Sequence, residues 1–309
     1  VLRCHPGSAS ILIEPATAGR IDDMCGRFAS ARKRQELLAE FDVQRDRVTE
    51  PLQPDYNVAP TKAVYAVLTQ SPRSPGEPAD AENADGGSPR AERELRVVRW
   101  GLVPFWAKDA SIGSRMINAR AETVAEKPAF RRAFAKQRCL LPADGFYEWV
   151  TNDPKTGDPD RPRKQPYYIY REDGGVLAFA GLYERWHDKS RPDDDPAATL
   201  WTATIITTRA EDEVGRIHDR MPMVIEPSRW ADWLDPGATS PEAVHNLLAP
   251  AATMHLTSYA VSTDVNSVRH NGPGLIEPLT AAAGPAGAAS RGGAGEHGGA
   301  SHRAPGTLF

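Results

Sequence analysis

Four short segments place reactive side chains among Gly, Pro and aromatic neighbours. They are Met24-Cys25-Gly26-Arg27-Phe28, Asn118-Ala119-Arg120-Ala121-Glu122, Gly145-Phe146-Tyr147-Glu148-Trp149 and Ile217-His218-Asp219-Arg220-Met221-Pro222. Each residue has an ordinary use. Cys25 serves as a small buried hydrophobe, Glu148 as an ion-paired strand residue, His218 as a hydrogen-bonded loop residue, and Asn118 as a turn amide. Taken together they supply a thiol nucleophile, a carboxylate, an imidazole and a positioning amide, the set that covalent catalysis needs.

The elements around these segments read as many short strands with few helices. Ser30 is placed to cap a helix running to about Phe41, with Leu37, Leu38 and Phe41 on one face. Ala63–Thr69 and Leu95–Val103 have strand character, as do Cys139–Leu141, Phe146–Val150, Tyr167–Tyr170, Val176–Trp186 and Leu200–Thr207. Helical spacing occurs at Pro128–Lys136, with Phe130 and Phe134 one turn apart, and short helices are expected at Pro227–Leu234 and Pro241–Leu248. Asn152–Gln165 and Asp188–Ala198 are charged, Pro-containing loops. No regular strand–helix alternation is present, so the expectation is one α+β domain on a curved, barrel-like mixed sheet flanked by short helices.

Composition bounds the function classes. The chain has 309 residues, 40% hydrophobic and 25% charged, which suits a soluble globular domain. Three cysteines (Cys4, Cys25 and Cys139) make no disulfide framework, which favours a reducing, cytoplasmic setting. No CxxC or Cys/His set has zinc spacing, so neither a metal nor another cofactor is expected. No apolar run is long enough to span a bilayer, so no membrane partner is expected. No GxGxxG or GxxxxGK[ST] occurs, which removes the usual nucleotide-binding readings. The stretch at 70–94 is rich in Pro, Ser, Gly and acid and reads as a disordered insertion; 281–309 reads as a disordered Gly/Ala-rich tail. Residues 1–23 lack the apolar core of a secretory signal, and Met24 stands just after them. They are expected to be a removable or non-native extension.

The four segments, in this order, resemble the SOS-response-associated peptidase (SRAP) family, the abasic-site processing proteins. The resemblance extends to Tyr56-Asn57-Val58-Ala59-Pro60-Thr61, Arg99-Trp100-Gly101-Leu102-Val103-Pro104-Phe105-Trp106 and Thr207-Thr208, and it covers about Met24 to Pro236. It implies a single SRAP domain over 24–280 and a monomer that associates with the nucleoid when DNA is damaged. It further implies a cysteine exposed at the mature N-terminus by loss of the initiator Met. That cysteine condenses with the ring-opened aldehyde of an abasic site in single-stranded DNA to form a thiazolidine. By resemblance Glu148 is the general acid/base, His218 assists ring opening or proton transfer, and Asn118 orients the N-terminal residue or the sugar. A hydrolase or protease label, an SOS-response role, weak lyase activity and self-reversal come with the same resemblance.

The chemistry has an independent rationale. Amines attack aldehydes only when neutral, and an α-amine has a pKa of about 7.7–8.0 against about 10.4 for lysine. After imine formation the thiol two bonds away closes a five-membered ring, an intramolecular step favoured by its high effective molarity. A lysine forms the imine but cannot lock it. With residues 1–24 attached, the Cys25 nitrogen is an amide and cannot condense.

Charge supports a nucleic-acid partner only locally. The formal charge is −4, yet Arg96 to Arg138 carries ten Lys/Arg against three acidic residues. Arg27, Arg99, Arg120 and Arg220 lie inside motifs and are the expected phosphate contacts. Asn57, Pro60, Trp100, Trp106 and Thr207 complete the expected DNA surface, the aromatic rings by stacking on bases. Two other readings stay open. One is a cysteine-type peptidase with an N-terminal nucleophile, for which loss of residues 1–24 would be self-cleavage. The other is a non-catalytic reader of single-stranded or modified DNA.

Overall fold

The computed structural model describes residues 25–69, 92–151, 164–192, 194–210, 212–240, 245–248 and 255–279. The 1–23 extension, most of the 70–94 insertion, most of the Asn152–Gln165 loop, half of the Pro241–Leu248 helix and the 281–309 tail lie outside them. In chain order the strands among the described residues are β1 (Phe28–Ser30), β2 (Arg45–Asp46), β3 (Asp55–Val58), β4 (Ala63–Thr69), β5 (Arg93–Trp100), β6 (Asn118–Arg120), β7 (Arg138–Ala143), β8 (Gly145–Thr151), β9 (Lys164–Arg171), β10 (Leu177–His187), β11 (Thr199–Arg209), β12 (Arg220–Pro222) and β13 (Leu256–Ala260). The α-helices are α1 (Arg34–Glu40), α2 (Arg131–Lys136), α3 (Asp212–Gly215) and α4 (Trp230–Leu234).

Five strands close into a mixed barrel. The antiparallel path β11-β10-β7-β4-β5 is completed by a parallel pairing of β5 with β11, Thr202 opposite Arg99 and Ala203 opposite Trp100. Closure removes the exposed edges that a five-stranded open sheet would leave. A second sheet, in the order β13-β9-β8-β1-β3, packs beside it.

The barrel strands are apolar on both faces. One alternating set (Val67, Leu140, Ala180, Leu182, Ile206) packs with helix residues Leu37, Phe41, Phe134, Trp230 and Trp233. The other set (Ala66, Trp100, Leu141, Phe179, Ile205) packs with Phe28, Phe146 and Ile169 of the second sheet. Phe28 lies edge-on to Trp100 at 5.1 Å and to Phe179 at 5.7 Å between ring centroids, tying the two sheets together. A third group, Tyr147, Tyr168, Val261, Val265 and Leu275, holds the chain after β13 against the outer side of the second sheet.

The barrel-like α+β architecture read from the sequence is present, and strands β4, β7, β8, β9, β10 and β11 fall where strand character was expected. One cap differs. Ser30 ends β1 and pairs with Asp55, and the helix begins at Arg34, where the Glu36 side chain accepts from the Lys33 amide at 3.3 Å. The strand wins because Phe28 is buried between the sheets and Ala29 is buried on the outer side of the second sheet. Gln165 also changes role. It is buried in β9 and its amide donates to Val261 O at 2.9 Å.

Candidate active site

Cys25 and Glu148 meet because β1 and β8 are antiparallel neighbours with Phe28 opposite Phe146. The register depends on Gly145, where a Cβ would lie 2.4 Å from the Tyr168 ring and 2.6 Å from Ile169 O. Phe146 faces the core shared by the two sheets, and strand alternation points Glu148 to the same side. From the barrel, β11 brings β6 and β12 to this place along its two edges, with Asn118 opposite Ile205 and Arg220 opposite Arg209. The site is therefore a junction between the sheets, and no single element contains it.

Two of the expected catalytic residues, Glu148 and Asn118, contact Cys25 directly, as does the main chain of Arg220. The Cys25 nitrogen donates to Glu148 Oε1 at 2.9 Å, its Sγ donates to the Arg220 carbonyl at 3.5 Å, and Asn118 Nδ2 donates to the Cys25 carbonyl at 3.4 Å. His218 is held one step away. The Arg220 N–H lies 3.0 Å from its Nδ1, which also stands 3.2 Å from the Arg220 carbonyl and 3.2 Å from Asp219 Oδ1. Cys25 itself has φ of +31°, a left-handed conformation that costs a non-glycine residue roughly 1–3 kcal/mol.

Electrostatics follow from burial. Glu148 is 1% exposed, and desolvation raises its carboxyl pKa to about 7, against the opposing pull of the Cys25 hydrogen bonds and the His218 charge. Burial likewise pushes the Cys25 thiol well above its ordinary value; the Glu148 charge and hydrogen bond add to this, and Arg220 opposes it. Cys25 thus rests as a thiol beside a carboxyl that exchanges a proton near neutrality. Among the described residues no group of His, Cys, Asp and Glu side chains has the arrangement of a metal site.

The expected DNA-contacting residues divide into two sets. Arg120 and Trp106 are exposed, Pro60 is half-buried at the turn leading to Thr61, and Arg99 is half-buried with Nη2 donating to Ala110 O at 2.8 Å. Trp100, Asn57 and Thr207 are fully buried, which corrects their assignment to a surface. Trp100 is a core ring whose Nε1 donates to Ile117 O at 2.9 Å, so it has no face to offer a base. Asn57 ties down the turn after β13, its Nδ2 donating to Ser267 O at 2.9 Å and His270 O at 3.0 Å. Arg27 shares that task, donating to Asn57 Oδ1 at 2.7 Å and Val265 O at 2.8 Å. Thr207 accepts from Arg220 through its carbonyl at 2.6 Å and its hydroxyl at 3.2 Å. Arg220 is engaged on both sides of its guanidinium and is 8% exposed. Arg138, counted in the basic stretch, is buried and donates to the carbonyls of Trp233, Phe134 and Asp235.

Two participants were not foreseen. The segment 263–270 buttresses the site through Asn57, Arg27 and the Trp149 Nε1 bond to Asn266 Oδ1 at 2.7 Å, and its sequence carries no motif. Glu122 was visible only as an acidic residue in a basic stretch, although it stands four positions after Asn118 within one motif.

Comparison with known proteins agrees with this construction. The model of the family described as SOS response associated peptidase (SRAP) matches residues 24–268. The Abasic site processing protein YoqW of Bacillus subtilis is 39% identical over 254 residues, covering 82% of this chain and 99% of that protein. The Abasic site processing protein HMCES of Xenopus tropicalis is 30% identical over 270 residues, 80% of this chain and 73% of that protein. A crystal structure of a Bacteroides thetaiotaomicron protein superposes with a TM-score of 0.62 at 27% identity, covering 83% of this chain and all of that one. A barrel joined to a second sheet, with a cysteine at their junction, is the arrangement on which this match falls. The chain belongs to the SRAP family.

Proposed function

We propose that this chain processes abasic sites in single-stranded DNA by capturing them on Cys25 as a covalent thiazolidine. The names of its relatives support abasic-site handling. The observation that carries the mechanism is the 2.9 Å contact between the Cys25 nitrogen and Glu148 Oε1. Imine formation needs a proton donor and acceptor at nitrogen, where this carboxyl lies, and the same carboxyl also reaches the thiol that must close the ring. The reaction requires Cys25 as the first residue, so release of residues 1–24 belongs to the proposal. Release also removes the left-handed φ, which a chain terminus does not have.

The steps balance without a co-reactant. The free α-amine attacks C1′ of the open-chain sugar, and the aldehyde oxygen takes up a proton. Protonated Glu148 then gives its proton to the departing hydroxyl, water leaves, and a C1′=N bond remains. The thiol sulfur adds to C1′, the π pair passes to nitrogen, and the thiol proton follows by way of Glu148. One water is lost overall, and the reverse sequence releases the adduct. The imine also permits β-elimination, giving a weak lyase side activity.

Binding to single strands is supported by the exposed rings of Phe105 and Trp106, with Arg132 lying 4.1 Å over Phe105. Exposed Arg120 adds backbone charge beside Asn118. A lesion without a base is read by its backbone and aldehyde, so stacking on flanking bases supplies the rest of the affinity.

The test is a denaturing gel with single-stranded abasic DNA, using protein whose N-terminal residue is shown by mass spectrometry to be Cys25. A heat-stable band is expected, lost in Cys25→Ala and with Cys25 blocked behind residues 1–24. Binding without a band would leave a non-catalytic reader. Cys25-dependent peptide turnover without a band would turn the reading to the peptidase.

A further inference from the structure

Arg220 touches Cys25 through its main chain, and its charge also acts on the thiol. Its carbonyl accepts from Cys25 Sγ at 3.5 Å, and its N–H donates to His218 Nδ1 at 3.0 Å. The place of both atoms is thus set by where the Arg220 backbone lies. That backbone belongs to β12, a three-residue strand at the end of its sheet, paired among the described residues with β11. The chain just after it is bonded to β11 and β10, Met223 N–H to Ile206 O at 2.8 Å and Ala180 N–H to Met223 O at 2.8 Å, so the Cys25-facing end at Arg220 lies at the margin of this pairing. The guanidinium adds a side-chain restraint at that end. Its Nη1 and Nη2 donate to the two Glu122 oxygens at 2.5 and 3.1 Å, while Nη2 also reaches Thr207 O at 2.6 Å. The Glu122–Arg220 fork therefore spans from the chain just after β6 to β12, across β11. These are the strands that carry Asn118 and deliver His218.

We propose that Glu122 is a positioning residue for the ring-closing step: its two-oxygen clamp on Arg220 holds the Arg220 carbonyl that orients the Cys25 thiol toward C1′. The proposal rests on the capture reading above. Glu122 itself lies outside the reacting atoms, and its side chain is 46% exposed. Nitrogen attack depends on the Cys25–Glu148 contact, which the clamp does not touch. Sulfur attack depends on Sγ reaching C1′ from a defined direction. Loss of the clamp should consequently divide the two steps.

Glu122→Gln and Glu122→Ala are made in protein beginning at Cys25, with wild type run beside them. Total imine formation is read by trapping with cyanoborohydride. Ring closure is read as the heat-stable adduct formed without reductant, which mass spectrometry distinguishes from the trapped form by two hydrogens. The expected result is near-normal trapping, with ring closure slowed roughly ten- to a hundred-fold, the scale of a small misplacement of a reacting group. Glu122→Gln keeps one acceptor and should lose less than Glu122→Ala, and it serves as the readout should the alanine variant fold poorly. Equal loss of both steps would mean a general structural role and overturn the proposal, as would no loss in either. Tighter DNA binding in a Cys25→Ala background with unchanged ring closure would make Glu122 a stand-in for a phosphate, which overturns it too. A wild-type protein that forms no adduct would instead refute the capture reading.

Discussion

Two buried glutamates sit on opposite sides of the barrel wall with the same electrostatic character. Glu148 in β8 is 1% exposed and Glu184 in β10 is 3% exposed, and burial raises each carboxyl to about 7. Their neighbours differ. Glu148 faces the junction of the sheets, accepts from the Cys25 nitrogen and lies near His218. Glu184 lies on the side packed by α2, where the Arg132 charge and a Gln137 hydrogen bond partly offset its burial. A perturbed carboxyl therefore does not define a site here. What distinguishes Glu148 is a nucleophile's nitrogen within hydrogen-bonding distance, and Glu184 has a cation and an amide in its place.

The largest expected effect tests that distinction directly. Glu148→Gln should slow adduct formation about 10²–10⁴-fold, the usual worth of a positioned general acid/base, while leaving single-strand affinity nearly unchanged. Glu184→Gln should stay within about twofold of wild type, since it touches no reacting atom. Comparable losses in the two variants on the denaturing gel would break the comparison.

A smaller effect concerns pH. Because Glu148 titrates near 7, the capture rate should bend around that pH, and the bend should vanish in Glu148→Gln yet persist in Glu184→Gln. A bend that survives in Glu148→Gln would assign the ionisation to another group, such as the Cys25 amine.

The smallest effect is one the two residues should share. Each folded carboxyl is raised from 4.5 to about 7, so the folded chain keeps protons that the unfolded chain releases. Stability is then greatest below about 4.5 and is lost as pH rises through about 7. Glu148→Gln and Glu184→Gln should both raise Tm at pH 8 relative to wild type and lose that advantage at pH 5. Thermal scans at the two pH values check it, and a Tm gain confined to one variant would show that the other carboxyl is solvated.

Much of the chemistry was legible residue by residue. Cys25, Glu148, Asn118 and His218 are named by side-chain type and by short motifs with local constraints, and strands such as Ala63–Thr69 announce themselves by β-branched apolar runs. Roles that depend on facing were not legible. Trp100 and Trp106 belong to one motif, yet the first is wholly buried and the second is 51% exposed, because β5 ends at Trp100 and the chain turns outward after Pro104. Asn57 and Thr207 look like surface polar residues and prove to be internal ties. Their partners lie at Ser267 and Arg220, on other strands and turns.

The sequence by itself determined the strand-rich α+β class and singled out the residues of the proposed chemistry, which needs Cys25 freed for its nitrogen to react. Those follow from side-chain chemistry and periodicity, which are local. Only the tertiary structure decided that Glu148 meets both the nitrogen and the thiol of the cysteine, that burial lifts this carboxyl to about 7, and that Glu122 reaches the site through Arg220. Each depends on which strands lie side by side and in what register, and pairing between residues 123 positions apart, as Cys25 and Glu148 are, is set by burial of the shared core.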